Sequence, residues 1–147
     1  DKCQMLDVGC GEGILHDFVK DRADFYEGVD CAGAAIQSCL TRLTQNGNTA
    51  FHVATFDQFN PGRKYDVIVF NEILYYMSAR DAMKTMDTAR SFLKDEKSMI
   101  VVSMNSNPRS PWIYRKIESA YKACQSIRVQ NTHTGSFWTI KTFAGLG

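Results

Sequence analysis

Residues Leu6-Asp7-Val8-Gly9-Cys10-Gly11-Glu12-Gly13 set an acid and three glycines, spaced two apart, at the end of an apolar run. Glycine lets a turn take positive φ and lets a ligand lie against bare backbone. The N–H groups of such a turn, and of a helix start behind it, favour an anionic group. Asp7 offers the opposite charge to a cation. The pair suits a ligand that carries both an ammonium and a carboxylate. Gly28-Val29-Asp30 closes a second apolar run. An acid at a strand end can accept two hydrogen bonds from a ribose diol.

Two further stretches carry chemical side chains. Ala54-Thr55-Phe56-Asp57 follows a third strand pattern. Tyr65-Asp66-Val67-Ile68-Val69-Phe70 runs into Asn71-Glu72-Ile73-Leu74-Tyr75-Tyr76. Asn71 and Glu72 fall at the carboxyl end of that run, where an open α/β sheet places its ligands. Glu72 can orient an acceptor or take its proton. Tyr75 and Tyr76 either line an acceptor pocket or pack beneath the loop.

These groups need a frame. Strand and helix patterns alternate, which predicts a parallel sheet covered on both faces. Strands are expected at 4–8, 25–29, 49–54, 65–70 and 98–104. Helices are expected at 14–21, 34–46, 79–93 and 111–123, with Ile14, Leu15, Phe18 and Val19 on the inward face of the first. Ile36, Leu40 and Leu43 face inward on the second, and Ala82, Met83, Met86, Ala89 and Leu93 on the third. Pro111 suits a first helical turn. Strands at 127–132 and 136–143 flank Thr134-Gly135, a hairpin signal. His16 and His52 fall inside regular elements and read as structural. His133 is placed by the hairpin at the end of the sheet opposite the ligand pocket.

Leu6–Gly13 resembles the first motif of the class I S-adenosylmethionine-dependent methyltransferases, and Tyr65–Tyr76 their fourth. The glycine spacing departs from the G-x-G-x-x-G dinucleotide fingerprint. The resemblance spans essentially the whole chain. It implies a Rossmann-like α/β fold with a seven-stranded, mostly parallel sheet and a C-terminal antiparallel hairpin, helices on both faces. It implies S-adenosyl-L-methionine as cofactor and S-adenosyl-L-homocysteine as product. The cofactor-binding residues implied are Asp7, Gly9, Cys10, Gly11, Asp30, Cys31, Thr55, Phe56, Asp57 and Asn71, with Asn71 near the methionine portion. Thr55 stands where the family usually carries the acid that bonds adenine. Either Phe56 packs on adenine with Asp57 accepting its amino group, or both are loop residues. Glu72, Tyr75 and Tyr76 are the candidate catalytic residues, and the Glu-x-Leu-Tyr-Tyr pattern resembles a subgroup acting on small molecules. Methyl transfer from a sulfonium is an in-line displacement, so the protein mainly positions and desolvates. No triad or metal cluster is required.

The chain has 147 residues, enough for one domain with a real core. Residues 1–147 are expected to form a single methyltransferase core without the family's usual N-terminal lid helices. No apolar run approaches the ~20 residues that span a bilayer. The five cysteines have neither zinc-ligand nor disulfide-framework spacing, which suits reduced thiols in the cytoplasm. Residues 109–147 carry six Lys/Arg against one Asp/Glu. That end reads as a solvated face, or as a contact for nucleic acid or an acidic substrate. The partner expected is a small-molecule acceptor, with no membrane, and the chain a monomer or homodimer. Nucleic acid is not favoured, since the Asp/Asn-Pro-Pro-aromatic motif and a Pro-Cys pair are both missing. An RNA or protein methyltransferase, and a non-catalytic partner subunit of the same fold, are the alternative readings.

Overall fold

A computed structural model describes residues 2–43 and 47–145. β1 (Cys3–Val8) lies centrally, with β2 (Ala23–Asp30) and β4 (Val67–Asn71) parallel to it on either side. β3 (Thr49–Val53) extends the sheet beyond β2, and β5 (Met99–Asn105) extends it beyond β4. β7 (Phe137–Ala144) inserts antiparallel between β5 and the edge strand β6 (Ala123–Gln130). The order is β3-β2-β1-β4-β5-β7-β6. The seven-stranded mixed sheet and its antiparallel end agree with the sequence expectation.

Alternation along β1 divides the core between two faces, because successive side chains of a strand point oppositely. Leu6 and Val8 join Ile68, Phe70, Ile100 and Val102 under α3 (Ala79–Ser91) and α4 (Ser110–Glu118). Met5 joins Tyr26, Phe51 and Val69 under α2 (Gly33–Arg42). On α3, Ala82, Met86 and Ala89 are buried at helical spacing, and Ser78 caps the helix by accepting the Asp81 N–H.

Several boundaries and faces differ from expectation. α1 is only Ile14–Val19, because the chain must return to pair Ala23 with Cys3. Ile14 and Phe18 are exposed, and only Leu15 and Val19 pack toward the core. On α2, Leu40 is exposed while Ile36 and Leu43 are buried. The expected end of that helix at 44–46 lies outside the described residues. β4 starts at Val67, and Tyr65 instead bridges Leu93. α4 stops at Glu118 and Ala123 opens β6, four residues before the expected strand start. A single 3-10 turn at Leu74–Tyr76 was not foreseen.

The position of His133 is corrected by strand register. Asn105 pairs with Trp138 and Gln130 with Phe137. The β6–β7 turn therefore sits at the carboxyl end of the parallel strands, the ligand end, not the opposite one.

Candidate functional site

The carboxyl ends of β1 to β4 open into a cleft of about 600 Å³. Val8, Gly9, Val29, Asp30 and Cys31 form one side. Ala54 and Thr55-Phe56-Asp57 form the rim after β3, and Ile73, Tyr76 and Met77 close the far wall. The sequence pattern thus brings together Gly9, Asp30, Cys31, Thr55, Phe56, Asp57 and Tyr76. Asp7, Cys10, Gly11, Asn71, Glu72 and Tyr75 stand around the cleft without lining it.

The glycine turn is built by its backbone. Gly9, Gly11 and Gly13 have φ of 73°, 53° and 72°, in the left-handed region that side chains disfavour. A Cβ on Gly9 would meet Ile73 Cγ2 at 2.6 Å. Four of the turn's amides are already paired within the fold. Gly9 and Cys10 both donate to the Val29 carbonyl, at 2.8 and 3.2 Å, and Gly13 donates to Cys10. Gly11 donates to Asp30 Oδ2 at 2.9 Å. Burying a turn against β2 obliges it to satisfy these donors internally.

Asp30 is pinned by two amides, Gly11 on Oδ2 and Ala32 on Oδ1 at 2.8 Å. Each carboxylate oxygen keeps a second lone pair for a further donor. Asp7 is 2 % exposed. Tyr26 donates to its Oδ2, and its Oδ1 is buried with no partner among the described residues. Burial pushes the Asp7 carboxyl up to about 6, the Tyr26 hydrogen bond opposes the rise, and the Asp30 charge adds to it. Cys10 is buried, its thiol directed to the Gly11 carbonyl, and burial pushes its ionisation upward.

Phe56 turns its ring inward, edge-on to Phe70 and Phe92 at 5.6 and 5.8 Å between centroids. It is a wall of the cleft anchored in the core. Asn71 is exposed at the end of β4. Glu72 has φ 63°, the one non-glycine residue in that region among those described. Its Oε2 accepts from the Tyr75 phenol at 3.1 Å, and its Oε1 is buried without a partner among the described residues. Tyr75 is buried and its phenol also accepts from Asn105 Nδ2 at 3.4 Å. Burial raises the Tyr75 phenol, and the Glu72 carboxylate adds to the rise. Tyr76 is 76 % exposed, its ring 4.6 Å from that of Tyr75.

Sequence reasoning missed the α3 wall. Asp81, Lys84 and Thr85 line the cleft beside Met77. Lys84 and Thr85 follow Asp81 by three and four residues, which puts the three on one helical stripe, a signal that was there to be read. His52 pairs with Glu27 Oε1 at 2.7 Å on β2 and does not line the cleft.

Residues 1–141 match the methyltransferase domain family. The chain belongs to this family. The class I resemblance read from Leu6–Gly13 and Tyr65–Tyr76 is borne out. The methyltransferase domain is 32% identical over 60 residues to an 18S rRNA (guanine-N(7))-methyltransferase of Bos taurus, covering 41% of this chain and 21% of that protein. It is 26% identical over 120 residues to a ubiquinone biosynthesis O-methyltransferase of Nitrosomonas europaea, covering 80% and 50%. The chain thus spans half the length or less of these two curated relatives. The N-methyltransferase NodS of Bradyrhizobium japonicum, solved with S-adenosyl-L-homocysteine, superposes with a TM-score of 0.83 at 16% identity, over 99% of this chain and 80% of that one. A 1,6-didemethyltoxoflavin-N1-methyltransferase of Burkholderia thailandensis gives 0.83 at 13% identity, over 99% and 72%. These two likenesses establish the shared fold. Among the described residues no helix is long and apolar enough to cross a membrane.

Proposed function

We propose that this methyltransferase domain moves a methyl group from S-adenosylmethionine to a small-molecule acceptor. The observation that carries the reading is the cleft at the carboxyl ends of β1 to β4, with Asp30 fixed on its wall and the unpartnered Asp7 oxygen behind it. The residues fit such a cofactor. A buried carboxylate oxygen without a donor is a costly arrangement that an ammonium would relieve. Asp30, oriented by two amides, is ready for a ribose diol. The relatives named for O-methylation of ubiquinone precursors and N-methylation of toxoflavin precursors support a small acceptor.

S-adenosylmethionine, when bound, supplies an activated methyl and its own leaving group. The protein's task is then to hold, orient and exclude water. Asp7 and Asp30 would hold the two ends of the polar ligand surface. Gly9, Cys10, Gly11, Cys31 and Asn71 would border it, and Thr55, Phe56 and Asp57 would flank the base. Glu72 would take or orient the acceptor proton through its unpartnered Oε1, with Tyr75 fixing the carboxylate. Tyr76 offers an exposed ring to the acceptor. We further propose that residues 1–147 act as one methyltransferase core of the Glu-x-Leu-Tyr-Tyr subgroup, in the cytoplasm, as a monomer or homodimer. The free state of all five cysteines supports that compartment.

Titration calorimetry with S-adenosylhomocysteine tests the reading. Micromolar binding by the wild type, weakened roughly tenfold or more by Asp30→Ala, is expected. A folded wild-type chain that binds neither S-adenosylmethionine nor S-adenosylhomocysteine overturns it.

A further inference from the structure

A second concavity of about 520 Å³ lies between α4 and the β6–β7 hairpin. It gathers half of the six basic residues of the C-terminal end, Arg115, Arg128 and Lys141, with the one acid, Glu118. Lys141 is spoken for. Its Nζ meets Glu118 Oε1 at 2.5 Å and rests over the Tyr114 ring at 4.9 Å. The two arginines are different. Neither guanidinium has a hydrogen-bond or carboxylate partner among the described residues. Arg128 is held over the Phe137 ring at 4.3 Å, which restrains the guanidinium at the concavity it lines.

Beside them Ser110 is 4 % exposed, and its buried Oγ has no hydrogen-bond partner among the described residues. A buried hydroxyl left unsatisfied is costly unless something arrives to bond it. Two guanidiniums in one concavity, neither engaged by a carboxylate, present their N–H donors to whatever enters. These donors and the Ser110 hydroxyl suit one kind of guest, an oxygen-rich anion.

The cleft adjoins the candidate catalytic pair. Asn105 lines the concavity, and its Nδ2 reaches the phenol of Tyr75, which donates to Glu72. A molecule seated by its acid beside Arg115 and Arg128 can extend along Asn105 toward Glu72. We propose that the acceptor of this methyltransferase domain carries a carboxylate or phosphate, which docks in this cleft. The inference rests on the methyl-transfer reading above. It gives a role to Arg115 and Arg128, the two basic residues of that end that line the concavity without a carboxylate partner.

The test follows arginine side-chain N–H resonances of the folded chain during titration with inorganic phosphate or benzoate. Ionic strength is held constant and chloride serves as control, with S-adenosylhomocysteine saturating. Saturable shifts at Arg115 and Arg128 are expected. Arg128→Gln and Arg115→Gln should each weaken the anion roughly tenfold, the scale of one charge-assisted contact. Lys116→Gln, on the same helix outside the cleft, should change nothing. Tighter phosphate than benzoate binding assigns a phosphorylated acceptor, and the reverse a carboxylic acid. Intact cofactor binding with no saturable anion shift, or with shifts spread evenly over all basic side chains, overturns this inference and leaves the methyl-transfer reading standing. Anion binding by a chain that never binds cofactor removes the acceptor assignment together with that reading.

Discussion

The phenol of Tyr26 donates a 2.5 Å hydrogen bond to Oδ2 of Asp7, and Oδ1 of the same carboxylate stays buried without a partner among the described residues. Half of this acid is held by the protein, and half is left for something else. That asymmetry follows from strand geometry. Asp7 and Gly28 are register partners on adjacent parallel strands, and Tyr26, two residues back from Gly28, faces the same side.

The raised carboxyl of Asp7 makes stability and binding depend on pH in opposite ways. Its pKa is about 6 folded against an ordinary value of 3.8. Between those values the folded state binds the extra proton, so stability falls as pH rises through the window, by roughly 3 kcal/mol at most. Asp7→Asn should flatten that fall, seen as a smaller loss of Tm between pH 4 and 7. Affinity for S-adenosylhomocysteine should rise through about pH 6 in the wild type, because an ammonium needs the ionised acid. The same slope in Asp7→Asn would sink the assignment.

Gly9 and Gly11 share positive φ but differ in surroundings. A Cβ on Gly9 collides with Ile73, whereas one on Gly11 has nothing within 4 Å. Gly11→Ala should cost only the backbone strain, about 1–2 kcal/mol. Gly9→Ala adds a core clash and a displaced cleft wall, so it should lower Tm further and abolish cofactor binding. Thermal melts and calorimetry on the two variants give the comparison directly.

Glu72 occupies a left-handed backbone that costs of order 1–3 kcal/mol in a residue with a side chain. Glu72→Gly should therefore hold or raise Tm, while methyl transfer to an accepted substrate drops by roughly a hundredfold, the lower range for a positioned acid–base group. A parallel loss of stability and activity would make Glu72 a purely structural residue.

Glu27 is a counter-case on the same strand as Asp30. It is 7 % exposed and accepts from Tyr65 at 2.7 Å while pairing with His52. Glu27→Ala strands the buried Tyr65 phenol and should cost about 1–3 kcal/mol in urea denaturation. Cofactor affinity should not move, since Glu27 does not line the cleft.

Legibility in the sequence followed the range of the interactions. β1 and β4 were readable because their burial on both faces is written as local apolar runs. Asp30 and Gly9 were readable because a strand end and a tight turn have local signatures. The pairing of the Gly9 and Cys10 amides was not readable because their acceptor, the Val29 carbonyl, lies on another strand. Ile14 and Phe18 looked inward by spacing alone, yet a six-residue helix following a left-handed Gly13 presents that stripe to solvent. The stripe of Asp81, Lys84 and Thr85 is a local pattern, but that it meets Met77 as a wall of the cleft depends on how α3 crosses the sheet, which no window of sequence contains. The end of the sheet that holds His133 turns on the register of β7 against β5.

The segment from Ser110 to Ala144 is continuous in sequence and forms one end of the sheet. Among the described residues β6 pairs only with β7, and its residues 124–130 are exposed. Tyr114 clasps this end by reaching the carbonyls of Val102 and Thr139. The glycine turn and Asp30 belong wholly to the other end. Local opening of the β6 edge can therefore occur while the glycine turn and Asp30 stay in place. Amide exchange should release β6 first, and turnover should proceed with acceptor and product passing through the loosening end while the donor stays seated.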